Sequence, residues 1–114
     1  MKIIGNNATH EDLYKLTIEE LERLPLPGWV LIERKKNGIH EWRKDIGNGH
    51  LVMVILSQTV FKHGYGKNRT YTRRWFSQST DLKTNETREL TKFPPEHSTR
   101  KEALEKAIHY MLRV

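Results

Sequence analysis

The chain has no cysteine, which excludes a disulfide framework, a thiolate zinc site and a cysteine nucleophile. Nor does it contain the run of about 18 apolar residues that a membrane-crossing helix requires. The opening MKIIGNNATHEDLY lacks an apolar block long enough for a signal peptide. These absences lead us to expect a soluble, cytoplasmic protein with no membrane partner. A third absence is local: between Asp45 and Asp81 there is not one aspartate or glutamate.

What is present is positive charge, unevenly spread. Twenty Lys and Arg stand against 14 Asp and Glu, a net of +6. Residues 10–24 carry five acids and two bases, a net of −3, whereas residues 34–74 carry ten bases against Glu41 and Asp45, a net of +8. A field concentrated in this way attracts phosphate polymers or an acidic protein. Apolar residues make up 36% of the chain and arrive in patterned blocks, so the sequence reads as folded rather than disordered. At 114 residues it is long enough for one core and too short for two, and we expect a single basic domain over 1–114.

Two capping boxes, Thr9-His-Glu-Asp12 and Thr17-Ile-Glu-Glu20, predict one or two short helices over residues 10–24, with Pro25 and Pro27 ending them. From Trp29 the period changes to that of strands. WVLIERKK and IHEWRKDI flank Asn37-Gly38, a strong hairpin signal, and a Gly-Asn-Gly turn leads into LVMVILSQTVF. LVMVIL is apolar at consecutive positions and predicts a central strand covered on both faces. HGYGKN forms the next turn, TYTRRWFSQS a fourth strand, and ETRELTKF a fifth after a turn around Lys83-Thr-Asn85. Ser98 or Thr99 then opens a helix in which Leu104, Ala107, Ile108, Met111 and Leu112 fall on one face. The expected class is α+β: short N-terminal helix or helices, a four- or five-stranded antiparallel meander, and a C-terminal amphipathic helix packed on the sheet.

The motifs of common chemistries are missing. Six histidines include no pair at helical i, i+4 spacing and no strand pair with a suitably placed acid, so we expect no metal. HGYGKN has two glycines but lies between strands, without the helix that would aim amides at phosphate. Paired carboxylates and a nucleophile elbow are likewise wanting. We expect no cofactor.

One stretch carries a resemblance. LPLPGWVLIERKKNGIHEWRK, with a short helix before it, a Gly-Trp opening a strand, a basic hairpin and a Gly-x-His on the returning strand, resembles the HicA-type mRNA interferase toxins over about residues 18–56. That resemblance implies a fold similar to the double-stranded RNA-binding domain, and it implies RNase activity with His40 at the family's catalytic histidine. Ile39 stands where the family has serine, and the segment after Leu56 departs from its pattern. Read from the residues alone, His40 shares a strand face with Trp42 and Ile46 and belongs to the packing.

KHGYGKNRTYTRRW, residues 62–75, is the candidate binding surface. Alternation along the strand puts Tyr71, Arg73 and Trp75 on one face, rings beside a guanidinium as stacking on unpaired bases requires, with Arg74 and Phe76 on the other. That other face would bury Phe76 under a helix. Lys62, Lys67 and Arg69 at the turn would reach phosphates, and Arg34, Lys35 and Lys36 add charge from the first hairpin. The competing pattern points Tyr71 and Trp75 inward. Three functions follow: a non-enzymatic module contacting RNA or single-stranded DNA, an inhibitor or adaptor docking on an acidic or nucleic-acid-processing protein partner, and a HicA-like RNase.

Overall fold

The structure, a computed structural model, describes residues 9–34, 38–93, 95 and 98–114, with the backbone alone at 10, 33 and 34. It is an α+β fold. Two short helices, α1 (His10–Tyr14) and α2 (Ile18–Glu22), precede a five-stranded antiparallel sheet, and α3 (Arg100–Met111) packs on that sheet. The strands β1 (Val30–Arg34), β2 (His40–Asp45), β3 (Leu51–His63), β4 (Thr70–Asp81) and β5 (Thr87–Glu89) lie in chain order, a meander.

Local chemistry accounts for where the helices start. Thr9 Oγ1 accepts from the Asp12 amide at 3.2 Å while the Asp12 carboxylate accepts from the Thr9 amide at 2.9 Å. Thr17 and Glu20 repeat the arrangement, and Thr99 Oγ1 caps α3 by accepting from Glu102. Each exchange satisfies amides that a first turn would leave bare, typically for about 1 kcal/mol. The Asn37-Gly38 turn expected between β1 and β2 falls partly on positions 35–37, outside the described residues. Gly38, within them, has φ 84°, a conformation that a side chain would strain.

The core lies between the sheet and the helices. Leu13 and Leu21 from α1 and α2, Trp42, Val54 and Leu56 from β2 and β3, and Leu104, Ile108 and Met111 from α3 are all buried. Trp29 joins the helix end to the sheet by donating its indole N–H to the Met111 carbonyl at 2.9 Å. The alternation of β3 splits LVMVIL: Val52, Val54 and Leu56 face α3, whereas Leu51, Met53 and Ile55 are half-buried on a sheet face that none of the described helices covers. The strand is central, but the expected cover on both faces is absent among the described residues. β5 is also shorter than ETRELTKF suggested. After Glu89 the chain stays beside β4 through Thr91, whose Oγ1 accepts the Ser77 amide at 2.9 Å while its own amide donates to the Ser77 carbonyl.

The long strands β3 and β4 outrun their neighbours. β2 ends its pairing at His40↔Leu56, β5 pairs Gln78–Thr80, and among the described residues the last backbone bond to β4 from outside the hairpin is Trp75 N–H to the Ser98 carbonyl at 3.2 Å. From Thr59↔Arg74 to His63↔Thr70, five residue pairs continue as a two-stranded ribbon among the described residues. With its tip loop this makes an arm about 15 Å long beyond the body.

Candidate nucleic-acid interface

The arm is built from KHGYGKNRTYTRRW together with the end of β3. Its tip is a short 3₁₀ turn, Gly66–Asn68, entered through Gly64 at φ 79°. A Cβ at Gly64 would meet the Asn68 carbonyl oxygen at 2.6 Å, so the tight return needs glycine. Arg69 donates from Nε to the Gly66 carbonyl at 3.1 Å and braces the turn. Tyr65 at the tip is 92% exposed.

Cross-strand register assigns each side chain to a face. Lys62 stands opposite Tyr71, Val60 opposite Arg73, and Gln58 opposite Trp75, all on the side of the sheet that α3 covers further down. His63, Phe61 and Thr59 pair with Thr70, Thr72 and Arg74 on the other side. Tyr71, Arg73 and Trp75 therefore do share a face, as the alternation predicts, but the three do not share an environment. Tyr71 is 60% exposed and Arg73 is exposed, whereas Trp75 packs against the core with the Arg100 guanidinium 5.5 Å from its ring centre. Trp75 is thereby withdrawn from any stacking platform. Phe76 is placed differently from expectation too: it lies on the face away from α3 and meets Phe93 edge-to-face at 5.0 Å. A strand of this length crosses from a covered zone into an uncovered one, so period alone does not tell buried from exposed.

The charge assembled here is one-signed. Lys62, Lys67, Arg69 and Arg73 are exposed, and among the described residues none of them forms an ion pair. Arg74, half-buried, donates to the Arg73 carbonyl at 3.2 Å. With no carboxylate from residue 46 to residue 80, no residue of the arm itself offsets this field. Of the first hairpin's bases, Arg34 is in β1 opposite His40, its side chain undescribed, and Lys35 and Lys36 lie outside the described residues.

His40 is 4% exposed and stacks edge-on against Trp42 at 5.5 Å. Arg100 lies 3.2 Å from its Nε2, and since a guanidinium only donates, that nitrogen is the acceptor. The same Nη2 meets Glu22 at 2.5 Å, and Arg100 Nε donates to the Gly38 carbonyl at 3.3 Å. One arginine thus ties α2, the first hairpin and α3 together beneath Trp75. The cavity beside His40, bounded by Glu22, Leu26, Trp42 and Leu104, holds about 30 Å³, too little for a nucleotide. Sequence reasoning missed Arg100 altogether, because its partners are 60 and 78 residues away and nothing in STRKEALEK marks it.

At the opposite end of the sheet His50 and Asp81 are 2.7 Å apart. The Asp81 carboxylate also accepts from the Lys83 and Thr84 amides, and these contacts, the one from His50 foremost, hold its pKa below the usual 3.8. Among the described residues no group of three or more potential ligands could hold a metal ion, and no helix is long and apolar enough to cross a membrane. In comparisons with known proteins no family model matches the chain, and neither a curated protein nor a solved structure does.

Proposed function

We propose that the chain is a non-enzymatic binding module that grips nucleic acid with the β3–β4 arm. The observation that carries this reading is the arm itself: a ribbon beyond the helix-covered body, bearing Lys62, Lys67, Arg69 and Arg73 exposed and not one acid. Cations held apart from carboxylates keep their attraction for phosphate, and releasing the counterions of a nucleic acid supplies affinity without sequence preference. The buried, small-cavity setting of His40 supports binding without cleavage, since a reacting group must touch the bond it breaks.

The test is binding of fluorescent oligonucleotides at ~50 mM salt to the parent and to a variant with Lys62, Lys67, Arg69 and Arg73 all changed to Ala. Loss of about tenfold or more in affinity, with an unchanged melting curve, is expected. Equal binding by both proteins would remove the arm from the reading.

A second reading, an inhibitor or adaptor docking on a protein, is favoured by a different surface. Val30 and Ile32 are 60% and 51% exposed at the β1 edge, and Phe93 is 41% exposed next to Phe76 on the uncovered sheet face. The two groups lie at different strands across the sheet, β1 and β4, and exposed apolar side chains of this kind suit a protein partner whose binding would persist at high salt.

A further inference from the structure

We infer that the ligand of the arm is duplex DNA, entered through its major groove. This rests on the nucleic-acid reading above and narrows it. A single strand is held by a broad basic face on which successive bases stack. The sheet offers no such face: α3 covers one side of the body, and the other carries Glu41, Met53, Ile55 and Phe76 along with Arg43. The stacking trio is broken as well, with Trp75 engaged by Arg100 and the core.

The arm instead displays its exposed bases along a narrow rod, Lys62 and Arg73 on one face and Lys67 and Arg69 at the tip. A groove has phosphates along its walls, and cations on the flank of a ribbon that enters it meet them. Size favours one groove. Two strands about 4.8 Å apart, widened by their side chains, match the roughly 12 Å major groove of B-form DNA, whereas the roughly 6 Å minor groove admits them only if the duplex is deformed. The projecting length of about 15 Å exceeds a groove depth of about 8.5 Å, so Tyr65 and Lys67 at the tip reach the base edges while the flanking bases meet the backbones. Duplex RNA keeps its major groove too deep and narrow for side chains to read.

The experiment compares the intact protein's affinity, at ~50 mM salt, for duplex DNA of about 20 base pairs, duplex RNA of the same sequence, and the separate DNA strands. A fourth probe is the DNA duplex with bulky C5 substituents on its pyrimidines, which fill the major groove and leave the minor groove open. Unmodified duplex DNA should bind about tenfold or more tightly than any other probe. Lys62→Ala with Arg73→Ala, both exposed positions, should weaken duplex binding while leaving the melting curve unchanged. Single strands binding as well as the duplex, or a C5-blocked duplex binding as well as the open one, overturns the groove inference and leaves the nucleic-acid reading standing. Failure of all four probes to bind overturns both.

Discussion

Glu105 is 2% exposed, and Lys101 answers it at 2.9 Å from one turn back along α3 while donating also to the Tyr14 carbonyl at 2.8 Å and lying over the Tyr14 ring. A buried carboxylate deprived of its cation costs more than the pair contributes when intact. Lys101→Met should therefore destabilise the fold by about 2 kcal/mol, less than a fully buried pair because the ammonium is partly exposed, and adding Glu105→Leu should recover most of that. Urea denaturation of the two variants decides it. Asp81 gives a pH-dependent counterpart. Its folded pKa is depressed below 3.8, so its contribution to stability is fully present above the unfolded value and is lost as pH falls through the folded one. Asp81→Asn should reduce stability near neutral pH and narrow its gap from the parent progressively below pH 3.8, as seen in melting curves across an acid series. A constant gap would mean that His50 and the turn amides do not favour the ionised form. At this scale the threonine caps were legible because a capping box is local. The Arg100 junction was not, because it joins Glu22, Gly38 and His40 across the fold.

The elements themselves were legible wherever a period was sustained. The stripe on α3 is buried at Leu104, Ala107, Ile108 and Met111 as its spacing predicts. Ile108→Asp should unfold the domain, since Ile108 is 1% exposed and a charge there has no partner in the core. A variant with the parent's melting temperature would detach α3 from the core. The strands of the meander were equally readable from their turns, but the extent of cover was not. LVMVIL is apolar at every position because Leu51, Met53 and Ile55 remain half-buried on an uncovered face, a setting that composition does not distinguish from full burial. The arm was hidden for the same reason. TYTRRW reads as one strand, and only the ends of β2, β5 and α3 reveal that Trp75 is at its root and Tyr71 beyond it.

As a whole the molecule has two parts with different physics: a packed body, and a projecting ribbon on which Lys62, Lys67, Arg69 and Arg73 form no ion pair among the described residues. Its dimensions, 51 × 36 × 24 Å, fit that division. Net charge alone made a phosphate-bearing partner attractive from sequence, yet the surface carrying it depended on which face and which zone each base occupied. The inhibitor reading predicts binding that tolerates salt, and the arm reading predicts binding that salt abolishes, so the dependence on ionic strength separates them. The most direct measurement is a salt titration of DNA binding by the parent and by Lys62→Ala/Arg73→Ala, two exposed changes on the flank of the arm. The account predicts a steep linear fall of log affinity with log salt in the parent, and a slope shallower by about two units in the variant, one per phosphate contact removed. A parent whose binding is insensitive to salt, or a variant with the parent's slope, would contradict it.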